Sequence, residues 1–485
     1  MGTKKLYRNM RLFTPVDCGH PLAGKEQANV KEIKKAAMLV SGGIIEKIGE
    51  EEEILKNVCP CEVAIEKDFG GACVIPGFVD PHTHMCFAKR REDEFGMRLA
   101  GLPYLEILAR GGGILSSVNA VKAATEEQLF ETTKKLALAA LAKGTTTVEI
   151  KSGYGLELGL ELKMLEVIGR VGRETPLDVV PTFMGAHAVP QEYKGRADEF
   201  VDEVLVKQML PKVKEQGIAE FCDVFCEEGV FSVDQSRRLL KAAKEMGFDT
   251  KIHADEVNDL GGAGLAAELA TRSAEHLLAA SEENLRAMGR AGSIAVLLPA
   301  TAYSLKKPYA PGRAMVDWGV PVAMATDCNP GSCFCESMPF IFGLGVMCMD
   351  LSVEEALTAS TLNAAYAVNR AKKLGSLEEG KQADFLVLDG ERSPTTPARP
   401  RSKRSTSSAS TWRKIRTKNK KHETAKAARE RPPFSYLYTG FAAVISVSER
   451  RARIACRHKT TARRSGCLRP SATRRCRTFR RCRSV

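Results

Sequence analysis

Between residues 77 and 327 the chain alternates short apolar runs with longer stretches in which apolar residues recur every three or four positions. The apolar runs are 78–80, 145–150, 177–183, 220–226, 249–253, 272–276, 294–298 and 321–326. The periodic stretches include 126–142, 158–171, 197–215, 233–246 and 282–288. A short continuous apolar run suits a strand buried on both faces, and the longer spacing suits a helix with one buried stripe. Eight such strands with helices between them predict an α/β fold, a TIM-like (β/α)8 barrel over residues 77–371. A doubly wound open sheet has the same alternation and is the structural alternative. Residues 1–76 read as short strands and turns, with Ser41-Gly42-Gly43 as a turn signal. Residues 353–371 read as a helix, and 372–391 as a turn and an apolar strand returning to the N-terminal segment. Both ends of the chain would then build one small composite β-sandwich domain.

Charge changes this picture at one end only. The net charge is +13, but residues 392–485 hold 28 Lys+Arg against 3 Asp+Glu, and residues 1–391 hold 44 against 56. An acidic globular body therefore carries a basic tail, and any nucleic-acid binding by phosphate neutralisation is confined to that tail. The tail is rich in Arg, Ser, Thr and Lys, and such a composition is expected to stay disordered. The change falls inside a domain rather than at a linker, which favours an out-of-frame C-terminus over an appended binding segment. No run reaches the roughly 18 apolar residues of a membrane helix. The start, Met1-Gly2-Thr3-Lys4-Lys5-Leu6, lacks the apolar core of a signal peptide, so a cytoplasmic protein is expected. Eleven of the 15 cysteines lie in the body, among them Cys59 and Cys61. They are expected as reduced, mostly buried thiols.

The body holds six histidines, His20, His82, His84, His187, His253 and His276. Five of them fall at or just past the C-terminal end of an expected strand, where the active sites of parallel barrels form. His82 and His84 are two apart, so in extended chain both imidazoles face one side and reach one metal. His253 adds a third imidazole, and Asp327 ends the eighth run with a carboxylate. Three histidines and a carboxylate suit a catalytic divalent cation with a position left for water. Glu256 follows His253 by three residues, with Asp255 as a competing carboxylate that spacing does not separate from it. His276 is either a further ligand or a hydrogen-bond donor to the reacting group. No lysine lies in 220–227 to bridge two ions, so one metal is expected.

The runs Pro76-Gly77-Phe78-Val79-Asp80-Pro81-His82-Thr83-His84, Arg91-Glu92-Asp93-Glu94-Phe95, Gly111-Gly112-Gly113, Glu149-Ile150-Lys151-Ser152-Gly153-Tyr154-Gly155, Phe183-Met184-Gly185-Ala186-His187, His253-Ala254-Asp255-Glu256 and Asp327-Cys328-Asn329-Pro330-Gly331-Ser332 are similar to those of one family. From about residue 6 to 389 the chain resembles the imidazolonepropionases, amidohydrolase-type enzymes of histidine degradation. The resemblance implies hydrolysis of 4-imidazolone-5-propanoate to N-formimidoyl-L-glutamate. It implies one divalent metal, zinc or iron, on His82, His84, His253 and Asp327. It further implies catalytic roles for Glu256 and His276, and substrate contacts from Arg91, Tyr154, His187, Glu256, Asn329, Gly331 and Ser332. On the residues alone Arg91 reads rather as a surface charge in the run Lys89 to Glu94; the resemblance assigns it to the substrate's carboxylate. A small-molecule substrate, no membrane partner and room for a homodimer complete the expectation. A nucleobase deaminase on the same ligand set is the rival enzyme.

Overall fold

The computed structural model describes residues 4–102, 106, 112–388 and 444–446. Eight parallel strands form one sheet in chain order: β6 (Phe78–Asp80), β7 (Thr145–Lys151), β8 (Asp178–Ala186), β9 (Phe221–Cys226), β10 (Asp249–Ala254), β11 (Ser273–His276), β12 (Ile294–Leu297) and β13 (Val322–Met324). Nearly every residue of these strands is buried, which is why they read as unbroken apolar runs rather than alternating ones. The first and eighth strands meet just beyond their ends. There Asp327 N–H donates to His82 O (3.1 Å), His84 N–H to Cys328 O (2.9 Å) and Thr326 N–H to Asp80 Oδ1 (3.0 Å). These bonds draw the sheet round into a barrel.

Helices cover the outside. The helix Glu126–Ala142 starts where Thr125 and Gln128 form a reciprocal capping box. Val233–Glu245 is capped the same way by Ser232 and Gln235. The helix expected over 353–371 is shorter and broken. It runs as Val353–Ser360 and Leu362–Ala367, because Thr361 leaves helical geometry at φ −134°, ψ −82°.

The N-terminal strands β1 (Lys4–Pro15), β2 (Val30–Ser41), β3 (Ile44–Glu50), β4 (Val63–Asp68) and β5 (Cys73–Pro76) join β14 (Phe385–Val387) and β15 (Val444–Ser446). The strands expected as a sandwich are hydrogen-bonded into one sheet of seven strands. β1 is long enough to pair β4 along its first half and β5 along its second, with bulges between Tyr7 and Leu12 bending it. β14 returns antiparallel to β5, Leu386 opposite Ile75. Most of the basic tail lies outside the described residues; β15, from its one apolar window, pairs antiparallel with β14. Cys59 and Cys61 form a disulfide, against the expectation of reduced thiols, while the other described cysteines are in no disulfide. Among the described residues no helix is long and apolar enough to cross a membrane.

Candidate active site

The ends of the barrel strands bring His82, His84, His253 and Asp327 together. His84 Nε2 lies 3.2 Å from His253 Nε2, and Asp327 Oδ1 lies 3.6 Å from His82 Nε2 and 3.7 Å from His84 Nε2. Donors about 2.1 Å from one cation lie about 3.0–3.4 Å apart, according to whether they subtend a right angle or a wider one. Among the described residues neither ring nitrogen of His82 has a hydrogen-bond partner, although the side chain is fully buried. Buried polar atoms are rarely left so. Spacing and orphaned nitrogens both fit a divalent cation. Burial holds His82 and His84 well below the ordinary imidazole pKa, so both are neutral, the form that ligates. Burial pulls His253 down too, but the Asp223 carboxylate outweighs it and the net shift is upward.

His276 closes the same cluster, its ring centroid 5.3 Å from that of His253 and 5.7 Å from that of His82. Burial takes its pKa down to about 3. It sits at φ +73°, and Asp255 (φ +52°) and Asp327 (φ +51°) are also left-handed. That conformation is uncommon for residues other than glycine and gathers at functional sites.

The two adjacent carboxylates divide the work. Asp255 accepts N–H bonds from Leu260 (3.1 Å), Gly262 (3.0 Å) and Ala263 (2.9 Å), which anchors it to the N-terminus of helix Gly262–Leu269. Glu256 instead turns towards the cluster, with Oε1 3.7 Å from His276 Nδ1 and its side chain 20% exposed. Desolvation pushes its carboxyl up to about 7.

On the opposite wall His187 stacks on His84, centroids 4.8 Å apart, and Tyr154 lies 5.1 Å from His187. Both are buried. One residue shapes this wall: Glu161, whose Oε1 accepts the N–H groups of Gly155 (2.8 Å) and Leu156 (2.9 Å), and whose Oε2 accepts that of Gly153 (3.1 Å). Gly153 O in turn meets His187 Nδ1 at 3.1 Å. Gly153 adopts φ +102°, and a Cβ there would lie 2.9 Å from Met184 O and 3.0 Å from His187 Nδ1.

Arg91 is not a surface charge. Its side chain is 12% exposed, and its backbone N–H donates to Pro330 O at 2.7 Å. Nε and Nη1 are buried without a hydrogen-bond partner among the described residues. The guanidinium lies against Gly331, where a Cβ would come within 1.6 Å of Nη2. Asn329 is fully engaged inside its own loop. Its Oδ1 accepts from the N–H groups of Gly331 (2.9 Å), Ser332 (2.7 Å) and Cys333 (3.2 Å). Its Nδ2 donates to Asp327 O and to Ser332 Oγ, both at 2.8 Å. Expected as substrate contacts, the Asn329 and Ser332 side chains are bound to each other and shape the loop.

Sequence reasoning missed several supporting groups. Asp223 on β9 lies 3.1 Å from His253 Nδ1, and Thr301 Oγ1 donates to Asp327 Oδ2 at 2.6 Å. Asp223 had a signal, a lone carboxylate inside an apolar strand; Thr301 had none.

The sequence model of the amidohydrolase family matches residues 73–424. The imidazolonepropionase of Syntrophobacter fumaroxidans is 60% identical over 389 residues, spanning 80% of this chain and 92% of that protein. That of Desulfotalea psychrophila is 58% identical over 394 residues, spanning 81% and 94%. Among solved structures, E. coli guanine deaminase superposes with a TM-score of 0.60 at 16% identity, covering 80% of this chain and 89% of the deaminase. A zinc-bound adenosine deaminase from Xanthomonas campestris gives 0.56 at 18%, covering 80% and 85%. At such identities these neighbours speak for the barrel alone. The relatives of high identity carry the assignment further: the chain belongs to the amidohydrolase family and, within it, to the imidazolonepropionases.

Proposed function

We propose that this chain hydrolyses 4-imidazolone-5-propanoate to N-formimidoyl-L-glutamate, with His82, His84, His253 and Asp327 holding one divalent cation. The observation that carries the reading is Arg91, a buried guanidinium beside His187 whose Nε and Nη1 have no hydrogen-bond partner among the described residues, with only the Glu94 carboxylate 3.8 Å from Nε. A planar cation with N–H groups open to a ligand suits the substrate's propionate, and a neutral nucleobase would leave it only the more distant Glu94 carboxylate.

When bound, the cation supplies Lewis acidity that makes water a nucleophile at neutral pH. All four donors are nitrogen or oxygen, a set that takes zinc or ferrous iron. Arg91 anchors the propionate while Tyr154 and His187 wall the ring and keep bulk water out. Glu256, with its carboxyl near 7, accepts the proton of the attacking water and delivers it to the ring nitrogen as the lactam C–N bond breaks. The ring carbonyl thus becomes the new carboxylate and the nitrogen becomes the formimidoyl N–H. His276, neutral through burial, donates a hydrogen bond to the carbonyl oxygen as charge builds there. The loop through Asn329, Gly331 and Ser332 backs Arg91. Incubating zinc- or iron-loaded protein with 4-imidazolone-5-propanoate should abolish the ring's ultraviolet absorbance and release N-formimidoyl-L-glutamate. Loaded protein that leaves the ring intact would refute the reading.

A further inference from the structure

Beneath the histidine cluster the barrel interior is ionic. Glu149 and Lys151 from β7, Asp223 from β9, Lys251 from β10 and Glu275 from β11 are all essentially inaccessible to solvent. Charges so deep persist only when paired. Lys251 serves one side, with Nζ 3.0 Å from Pro81 O and 3.4 Å from Glu275 Oε1. Lys151 is placed differently. Its Nζ lies 2.6 Å from Glu149 Oε1 and 2.8 Å from Asp223 Oδ2, so one ammonium bridges two carboxylates from different strands.

Each of those carboxylates leads to a different candidate ligand segment. Asp223 Oδ1 accepts from His253 Nδ1 at 3.1 Å, which leaves Nε2 facing the cluster. Glu149 Oε2 accepts the backbone N–H of Thr83 at 3.1 Å, the residue between His82 and His84. The backbone N–H of Lys151 also donates to Thr83 O at 3.0 Å. We propose that Lys151 is a positioning residue, a built-in cation that locks His253 and the His82–His84 segment into one frame and thereby sets the affinity for the divalent ion.

The proposal rests on the reading of His82, His84, His253 and Asp327 as ligands, and zinc binding to the unaltered chain tests that reading first. The measurement is zinc affinity by competition with a chromophoric chelator, together with the visible spectrum of the cobalt-substituted protein. Lys151→Met is expected to weaken zinc binding about 10- to 100-fold and to shift the cobalt bands. Asp223→Asn is expected to do likewise. The double variant should resemble the weaker single one rather than multiply the two losses, because both changes break the same line to His253. If Lys151→Met does not fold, the isosteric Asp223→Asn decides. Zinc affinity and cobalt bands in the folded single variants that match the unaltered chain would overturn the proposal, as would multiplied losses in the double variant. An unaltered chain that binds no zinc would instead overturn the ligand reading.

Discussion

Replacing Arg91 by Met removes the charge that the proposed function assigns to the propionate, and the structure sets the size of the loss. Among the described residues neither Nε nor Nη1 has a hydrogen-bond partner, and Nε lies 3.8 Å from Glu94 Oε2. The two point to opposite edges of the guanidinium, so a bound carboxylate would gain up to two charge-assisted hydrogen bonds, one from either of them and one from Nη2. Each contributes roughly 1.5–3 kcal/mol in a protein. The two are not fully additive, since the carboxylate must leave water first, and about 3–4 kcal/mol is a fair joint value. At 1.4 kcal/mol per tenfold, kcat/KM should fall roughly 100- to 1000-fold. Arg91→Lys keeps the charge but offers a point donor in place of the fork, and should recover about one decade. The assay is the steady-state loss of ring absorbance, run beside an imidazolone that lacks the propionate arm. On that truncated ring the unaltered enzyme and Arg91→Met should converge, because neither has a carboxylate to hold. A variant that loses as much on the truncated ring as on the full substrate would refute the argument and move Arg91 to a structural role.

Three further outcomes follow from the same geometry. Glu256→Gln should retain one bound metal per chain by elemental analysis while turnover drops about 10²- to 10⁴-fold, the usual loss on removing a general base; undiminished turnover would dismiss the base. Because burial raises the Glu256 carboxyl to about 7 and a base must be unprotonated, kcat/KM should climb with pH, reach half its limit near 7 and level off above about 8. A bound cation nearby moves that limb down, so a rate that instead rises as pH falls contradicts the assignment. Gly331→Ala should displace the Arg91 guanidinium, since the new methyl would overlap it. It should depress kcat/KM in the same direction as Arg91→Met, with little further loss when the two are combined, whereas multiplied losses would separate the two residues.

The barrel strands were legible to within a few residues because strands buried on both faces are written as apolar runs. The histidines were legible because they stand at the ends of those runs. Choosing between Asp255 and Glu256 was not a matter of spacing. It turned on three helix N–H groups, those of Leu260, Gly262 and Ala263, that become neighbours of Asp255 only when the chain folds. Lys151, Asp223 and Glu149 left only a faint signal for a related reason. In a linear reading each is an interruption in an apolar strand, and it becomes meaningful only beside a charge from another strand. Arg91 shows the reverse error, since its acidic and basic neighbours in sequence suggest solvent while the loop at Pro330 and Gly331 buries it.

The hydrogen bonds that draw the barrel shut also carry a consequence for how the chain reaches its working form. Thr326 and Asp80 are 246 positions apart, and the proposed ligands flank that seam. The proposed cation pocket therefore cannot assemble on the ribosome until the last barrel strand has emerged, and a chain halted just before it presents His82, His84 and His253 without the Asp327 carboxylate to complete them. Ring closure over such a separation is among the slow steps of folding. The moment a refolding chain captures zinc should therefore mark the end of barrel formation, and the timing of metal uptake becomes a clock for the fold itself.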